Sequence, residues 1–388
     1  MTDSTRGGVI TLLKSALTGE KLSLPEGFEL EKAYSIIKRH RIMSICYCGA
    51  VNCGIDEAHP VMQKLQSHTY AELIRGECQE WELRRVTAEL KKCDIAFLPI
   101  KGLFIKELYP ESHMRYMADA DILIDEAKRS EAEGMLEKLG YRKYAESLCE
   151  IIYENDNLHL ELHKALIPPH IKDFYSYFER PFERAERISG SEYKFSDNDH
   201  FIYIFVHFAR HYRGGGIGLK HLCDIFVCRD KLSLDEGYIE GEMKKLGLLD
   251  FYKNVCATAD ALFADGEESE ITSLIANTVF ESGAYGTAKN IRLSDTARRS
   301  KDGNVKKARR SHFWWSLFLP YGIMCIKYPF LKKAPFLLPF MWIVRAVAAL
   351  FKKNSRTKSE LKEIKGLSSD EVKAYIEGLH AVGLTFDF

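Results

Sequence analysis

The sequence predicts an α+β fold in which a small mixed sheet lies between helical regions. Short apolar runs bounded by turn residues, which are typical of strands, occur within residues 91–195. Helical spacing of apolar residues dominates residues 1–90 and 196–388. A chain of 388 residues, 46% of them hydrophobic, can form two or three domains with a substantial core. We therefore expect an N-terminal helical region, a sheet-bearing core and a C-terminal helical domain with these boundaries.

The first elements lead to a candidate anion site. Glu72–Leu90 is rich in helix formers, with Glu, Arg and Leu at repeating offsets. Ile95–Ile100 is the first predicted strand; it ends at Lys101 and Gly102, and Leu103–Tyr109 has helical spacing. A strand, a tight glycine turn and a helix start together present free backbone N–H groups, which favour an anion. Lys101 adds a positive charge to this turn.

An acidic pair marks the next strand. Asp119 and Asp121 are two residues apart, so on a strand their side chains share one face. The apolar run Ile122–Ile124 is expected of a strand that is covered on both faces. A helix over 126–139 follows, and Gly140 is a suitable residue to end it.

A β-hairpin brings a third acid to the same region. The tripeptide Asn-Asp-Asn joins Ile151–Glu154 to Leu158–His163, as in a turn between antiparallel strands. In the second strand His159, Glu161 and His163 face away from the alternating leucines. Glu161 can therefore point into the same cleft as the two aspartates. Three carboxylates would repel one another strongly unless a divalent cation were bound.

These motifs occur in a recognisable order. They are Leu-Pro-Ile-Lys-Gly at 98–102, Tyr-Pro at 109–110, Arg-(x)3-Asp-x-Asp-Ile-Leu-Ile at 115–124, Leu-Gly-Tyr at 139–141, Leu-Glu-Leu-His at 160–163, and further matches at 39–43, 206–207, 222–225 and 328–345. The order and spacing resemble the uncharacterised nucleotidyltransferase family of the polymerase-β superfamily. The resemblance covers most of the chain, which makes residues 91–195 the expected nucleotidyltransferase core.

The resemblance implies metal-dependent nucleotidyl transfer. Asp119 and Asp121 would ligate Mg²⁺ (or Mn²⁺), with Glu161 as the third acid, while Lys101 and Gly102 would hold the triphosphate of a nucleotide such as ATP. A nucleoside monophosphate would pass to a hydroxyl acceptor, with release of pyrophosphate. The family more often has aspartate as the third acid, so the longer Glu161 would have to retract to take the same place.

Other residues of the expected cleft have alternative roles. Arg115 either contacts a phosphate or fixes its loop. His159, Glu161 and His163 could instead form a zinc site, since imidazole and carboxylate are good zinc ligands. A catalytically degenerate nucleotide-binding regulator is an alternative function for such a cleft.

A predicted helix over 199–212 carries two further histidines. His207 and His211 are four residues apart, and they either pack as half-buried residues or line the cleft. Asp224 could hydrogen-bond to one of them or to Lys220.

Charge and cysteine content constrain the partners. The chain has 55 basic and 55 acidic residues, which argues against general nucleic-acid binding because that normally requires a basic face. We therefore expect a small molecule or a protein as acceptor. Ten scattered cysteines and no evident signal peptide indicate a reducing, cytoplasmic location.

The late part of the chain is basic and then aromatic. Arg298–Arg310 is interpreted as an exposed loop. Phe313–Phe351 approaches membrane-spanning length twice, but prolines and charges interrupt it. Buried helices that cap the core are the favoured interpretation. The paired lysines at 332–333 and 352–353 leave open a peripheral membrane contact, as in a membrane-associated accessory protein.

Overall fold

A computed structural model of the chain describes residues 4–169, 171–300, 304–351 and 367–385. Within these residues seven strands form one mixed sheet with helices around it, which confirms the predicted α+β class. The strands are β1 Phe97–Ile100, β2 Ala120–Ile124, β3 Arg142–Glu146, β4 Glu150–Glu154, β5 His159–His163, β6 Ala185–Ser189 and β7 Glu192–Phe195. The helices are α1 Ser4–Thr18, α2 Leu30–His40, α3 Met43–Asn52, α4 Pro60–Lys92, α5 Gly102–Ile105, α6 Arg129–Lys138, α7 Lys172–Tyr175, α8 Pro181–Arg184, α9 Asp197–Arg213, α10 Leu219–Lys231, α11 Glu236–Lys245, α12 Leu249–Phe263, α13 Glu270–Ser282, α14 Ala288–Ser300, α15 Val305–Leu317, α16 Tyr321–Lys327, α17 Leu338–Phe351 and α18 Ser369–Ala381.

The sheet has the order β3-β4-β5-β2-β1-β7-β6. Its central strand β2 is antiparallel to β1 and parallel to β5. Every residue of β2 is buried, as the continuous apolar run predicted. The strand that carries Asp121 is therefore held between two neighbours and covered on both faces.

Hydrophobic side chains cover the two faces of the sheet in different ways. One core includes Leu90 of α4, Leu136 of α6 and Ile122 of the sheet. A larger core includes Leu98 and Leu123 of the sheet together with side chains of α1–α3 and α9–α13. The sheet is thus fixed between helices that precede it and helices that follow it in the chain.

Most predicted elements near the acidic strand are confirmed, with small shifts at their ends. The Asp125 side chain accepts a hydrogen bond from the Ala127 N–H, and a 3₁₀ turn leads into α6. Gly140, at φ +90°, follows that helix as predicted. The hairpin of β4 and β5 also forms. The sequence analysis did not predict β3, β6 and β7.

The prediction of a loop at Arg298–Arg310 was wrong on either side of 301–303, which lie outside the described residues, but Arg298, Lys306, Lys307 and Arg310 are exposed as predicted. The structure has α14 up to Ser300 and α15 from Val305, so the basic residues on either side of 301–303 belong to helices. A cluster of positive charge is compatible with an exposed helix surface as well as with a loop.

Phe313–Phe351 forms helices, but the prediction that they are buried was wrong for many of their large side chains. Phe336 is 78% exposed and Phe340 is 61% exposed. A small core that includes Leu319, Met324 and Leu331 covers only one side of this segment. Among the described residues, no helix has the length and apolar character needed to cross a bilayer.

Candidate functional site

The strand register brings the predicted acids together. Asp121 of β2 pairs directly with Glu161 on β5, and on its other side with Ile100, the last residue of β1. Paired residues of neighbouring strands point their side chains to the same face of a sheet. Lys101, which follows Ile100, and His163, two residues beyond Glu161, complete the group.

Short contacts join these four side chains. The Lys101 Nζ lies 2.5 Å from Asp121 Oδ1 and 3.9 Å from Glu161 Oε2. The His163 Nε2 lies 2.7 Å from the same Asp121 oxygen and 3.4 Å from Glu161 Oε2. Two potential cations therefore surround two carboxylates.

The electrostatics keep this group charged. Burial alone would raise the pKa of Asp121, but the Lys101 ammonium and the His163 ring outweigh it and hold this pKa below its usual range. Burial likewise opposes the charged form of Lys101, yet the carboxylates of Asp121 and Glu161 raise the pKa of that ammonium. For His163, burial and Lys101 lower the pKa, whereas hydrogen bonds to Asp121 and Glu161 raise it by more.

The donor set fits a divalent cation. One ligand atom from each of Asp121, Glu161 and His163 lies within 4.8 Å of the others. Carboxylate oxygens suit Mg²⁺ and Mn²⁺, and imidazole is a good ligand for transition metals. The Tyr203 hydroxyl, close enough for its pKa to be affected by Lys101 and Asp121, is buried without a hydrogen-bond partner in the described structure. The group thus has the ligands for an ion and an unsatisfied polar atom near it.

Asp119 has other neighbours than the cluster residues. Its half-buried carboxylate affects the pKa values of Arg115, Lys220 and Tyr285. It does not belong to the metal-competent group found within the described residues. Asp119 and Asp121 therefore face different neighbours, and metal ligation by Asp119 stays a prediction.

The turn after β1 is strained and tightly packed. Lys101 has φ 52° and ψ −120°, a backbone conformation that costs a non-glycine residue on the order of 1–3 kcal/mol. A Cβ on Gly102 would lie 2.9 Å from Arg115 Nη1 and 3.3 Å from Met117 Cγ. A side chain at 102 would therefore have to displace the Arg115 guanidinium, and the Lys101 side chain on this turn reaches Asp121.

Arg115 has a structural partner. Its Nε and Nη2 donate to the two carboxylate oxygens of Asp224 at 3.0 and 2.8 Å, and the Tyr109 hydroxyl donates to Asp224 Oδ1 at 2.8 Å. This buried pair fixes the loop before β2 against α10, which is one of the two roles considered for Arg115. The suggested hydrogen bond between Asp224 and His207, His211 or Lys220 is not formed among the described residues, where Arg115 and Tyr109 are the donors to this carboxylate.

The histidines separate into two groups. His207 and His211 lie on α9 with their Nε2 atoms 3.1 Å apart. Burial, the neighbouring ring and the charge of Lys101 lower the pKa of His207 well below its usual range, so its imidazole is neutral. His159 instead packs edge-on against Tyr144 at 6.3 Å, and Asp121 takes its place beside Glu161 and His163. The alternative zinc set is not assembled.

Two basic side chains near the site have no polar partner among the described residues. Lys220 on α10 and Arg210 on α9 are half-buried, and neither side chain forms a hydrogen bond or ion pair with the residues that the structure describes. Lys220 lies 5.8 Å from the centre of the Tyr116 ring. Burial, together with the charge of Arg115, lowers the pKa of Lys220 to about 7. Both cations are therefore available to an anionic ligand.

A cavity of about 370 Å³ adjoins the cluster. Both polar and apolar side chains contribute to its lining. It is lined by Lys101, Glu146, Ser147, Leu148, Cys149, Glu150, His163, Leu166, Pro168, Arg210, Ile323 and Ile326. The sequence analysis had no signal for Arg210, Cys149 or the wall residues Ile323 and Ile326, since these lie far from the acidic motifs in the chain.

The mixed sheet carries the acid–histidine cluster on its neighbouring strands β2 and β5. The family model for an uncharacterised nucleotidyltransferase matches residues 26–264. That match covers more than half of the chain, which therefore belongs to this nucleotidyltransferase family. Comparison with curated proteins and with solved structures gave no match.

Proposed function

We propose that this protein transfers a nucleoside monophosphate from a nucleoside triphosphate to a hydroxyl of a small molecule or a protein. Mg²⁺ or Mn²⁺ would support the reaction. The observation that carries the proposal is the convergence of Asp121, Glu161 and His163 on one small volume beside a cavity. Membership of a nucleotidyltransferase family supports it. The neutral net charge of the chain favours an acceptor other than a nucleic acid.

The carboxylates of the cluster are at present contacted by Lys101 and His163, so an ion would bind by displacing these contacts. Asp121 and Glu161 would hold the ion, with His163 as a further ligand after it loses its proton and Asp119 as the acid that the family resemblance implies. A bound ion would neutralise charge on the attacking and the leaving oxygen.

The reaction itself needs one proton acceptor. Glu161 is half-buried at the cluster and would take the proton of the acceptor hydroxyl. The hydroxyl oxygen would then form a bond to the α-phosphorus as the bond to the bridging oxygen of pyrophosphate breaks. Pyrophosphate leaves with the electron pair of that bond.

The cations around the cleft suit a triphosphate. Among the described residues, Lys220 on α10 and Arg210 on α9 have donors without a polar partner, and Arg210 lines the cavity. Charged donors to phosphate make stronger hydrogen bonds than neutral ones. We assign the outer phosphates to these two side chains, together with Lys101 and the turn at Gly102. Arg115, which is held by Asp224, would act mainly by keeping that turn in place.

Nucleotide binding tests the proposal without knowledge of the acceptor. With Mg²⁺ or Mn²⁺ present, at least one of the four common nucleoside triphosphates should raise the melting temperature, because a ligand that binds only the folded state stabilises it. The increase should disappear when the ion is chelated. Equal melting temperatures with and without every triphosphate, at millimolar concentrations with either ion, would contradict the proposal.

Replacement of Lys220 should weaken nucleotide binding. Lys220→Met removes a charged donor to phosphate, which is worth about 1.5–3 kcal/mol, so the dissociation constant should rise roughly tenfold to a hundredfold. Titration calorimetry measures this change. Lys220→Arg keeps the positive charge and is the matched control.

The same titration can also measure the number of protons taken up when the nucleotide binds. Because the pKa of Lys220 is about 7, this side chain is mostly neutral one unit higher, near pH 8. A bound triphosphate favours the ammonium, so binding to the wild type at that pH should take up as much as about one proton. Binding to Lys220→Arg should lack this uptake, because arginine stays charged. Equal uptake by both proteins would exclude a phosphate contact by Lys220.

A regulator that binds nucleotide without turnover is the second candidate. The specific observation in its favour is the ion pair of 2.5 Å between Lys101 and Asp121, which places an ammonium where the carboxylate would contact a metal. Saturating nucleotide binding together with undetectable pyrophosphate release, over a range of hydroxyl acceptors and with both ions, would favour this candidate.

A further inference from the structure

Residues 303–359 contain no acidic residue. Twelve lysines and arginines lie in this stretch, although the chain as a whole is electrically neutral. The rest of the chain therefore carries a balancing negative charge. Three of the four tryptophans, Trp314, Trp315 and Trp342, also lie in this stretch. We name its described part, residues 304–351, the aromatic segment.

The aromatic segment holds an unusual share of the exposed hydrophobic surface. Eleven of the 23 large hydrophobic side chains that are exposed among the described residues belong to it. They are Phe313, Trp314, Trp315, Phe318, Tyr321, Phe330, Phe336, Phe340, Ile343, Val344 and Val347. A concentration of this kind on a folded protein marks a site of interaction.

These side chains are exposed on a supported framework. Leu319, Met324 and Leu331 form a small core on the opposite side of the segment. The Trp342 Nε1–H donates to the Leu319 carbonyl at 3.0 Å, and the Tyr321 hydroxyl donates to the Leu331 carbonyl at 3.1 Å. The segment thus has a core and hydrogen bonds of its own, in which only some of the exposed rings, such as Tyr321, take part.

Positive charge lies within the same surface. Lys332 and Lys333 are exposed between Phe330 and Phe336, and Lys306 and Arg310 are exposed on α15. Bulky aromatic side chains with lysine and arginine, and without acidic residues, are the composition that binds the interface of an anionic membrane. Tryptophan and tyrosine in particular are enriched at the level of lipid headgroups.

We infer that the aromatic segment binds the surface of an anionic lipid membrane. A second copy of the chain is a poorer occupant, because a symmetric contact would place this basic surface against itself. The inference does not depend on nucleotidyl transfer. Ile323 and Ile326 of α16 belong both to this segment and to the wall of the cavity, so the membrane-binding segment would adjoin the candidate site.

Vesicle flotation tests the inference with the full-length chain. The wild type should float with vesicles of phosphatidylcholine and phosphatidylglycerol, and much less with phosphatidylcholine alone. Lys332→Glu/Lys333→Glu should reduce the membrane partition coefficient at least about twentyfold, since each lysine near an anionic surface contributes roughly fivefold to it. Phe336→Ser/Phe340→Ser should reduce it as well.

Two matched variants control for charge and hydrophobicity. Lys21→Glu/Lys138→Glu makes the same charge change at exposed sites outside the segment, and Tyr70→Ser/Ile74→Ser removes exposed apolar side chains from α4. Both should float like the wild type. Because all of these positions are exposed, the variants should keep the melting temperature of the wild type.

Tryptophan fluorescence gives a second measurement, which detects binding of the wild type directly and does not depend on a variant that binds less. Emission should shift to shorter wavelength with anionic vesicles, because Trp314 and Trp315 would enter the interface. Absence of flotation and of this shift would overturn the inference. Flotation that neither segment variant reduces, or a dimer that the aromatic variant dissociates without any lipid binding, would overturn it too.

Discussion

Asp121→Asn should reduce metal-dependent pyrophosphate release by about a thousandfold or more. The substitution removes a charged ligand from the centre of the cluster, where Asp121 contacts Lys101 and His163 and pairs with Glu161. A metal ion supplies several kcal/mol of stabilisation to the transition state, and each 1.36 kcal/mol is worth a factor of ten in rate. Phosphate-release assays coupled to a pyrophosphatase measure the effect.

The effect on folding should be much smaller than the effect on turnover. Asparagine keeps the shape of the side chain and can still accept a hydrogen bond from Lys101. The uncompensated ammonium should cost a few kcal/mol of unfolding free energy at most, since part of Lys101 is accessible to solvent. Thermal unfolding of the variant would show whether the protein is folded at the assay temperature.

Two further substitutions complete this comparison. Asp119→Asn should also reduce turnover strongly if Asp119 is the acid that the family resemblance implies. It should change the stability little, because the half-buried carboxylate of Asp119 has no ion-pair partner among the described residues. Asp156→Asn, in the exposed turn between β4 and β5, should leave turnover unchanged. Wild-type turnover in both Asp119→Asn and Asp121→Asn would refute the catalytic assignment.

Lys101→Met should make the stability of the protein depend on a divalent ion. In the wild type the Lys101 ammonium neutralises Asp121 and Glu161. Methionine fills a similar volume but leaves the carboxylates without that charge, which should lower the melting temperature in chelator by on the order of 5 °C or more. Mn²⁺ or Mg²⁺ should restore most of this loss, and should bind more tightly than to the wild type.

Lys164→Met is the matched control for this prediction. Lys164 is also a half-buried lysine with a carboxylate partner, at 3.1 Å from Glu146, but it lies outside the metal-competent cluster. Its replacement should lower the melting temperature without any recovery on addition of ion. If Mn²⁺ stabilised Lys101→Met no more than it stabilised the wild type and Lys164→Met, an ion site that competes with Lys101 would be ruled out.

The sequence correctly predicted the strands whose residues are buried on one or both faces. The continuous apolar run of β2 and the alternation of apolar and polar residues in β5 predicted their burial correctly, because both faces of β2 and one face of β5 are covered. β3 and β6 were not predicted, because most of their residues are exposed and their sequences do not alternate between apolar and polar residues. A strand at the margin of a sheet is specified by its pairing partner more than by its own sequence.

The site was predictable only in part. The two-residue period of strands placed Asp121 and Glu161 in one cleft, and neighbouring strands with matching register brought them together. The ion pair of Lys101 depends on an unusual positive φ, which residue type does not indicate. The partner of Asp224 was missed because Arg115 lies 109 residues away in the chain.

The burial of side chains in the aromatic segment could not be predicted from the sequence. Its composition indicated helices, and helices form, but hydrophobicity does not distinguish a side chain that packs in a core from one that faces a partner. Phe336 and Leu331 lie five residues apart, yet Phe336 is 78% exposed whereas Leu331 is fully buried.

The location of a bound ion tests the central claim most directly. Anomalous X-ray scattering from crystals grown with Mn²⁺ and a nucleoside triphosphate should show an ion within about 2.0–2.2 Å of oxygens from both Asp121 and Glu161. Lys101 should then have left Asp121. An ion bound elsewhere, or no ion while Lys101 still contacts Asp121, would contradict the proposal that this cluster is a metal-dependent catalytic centre.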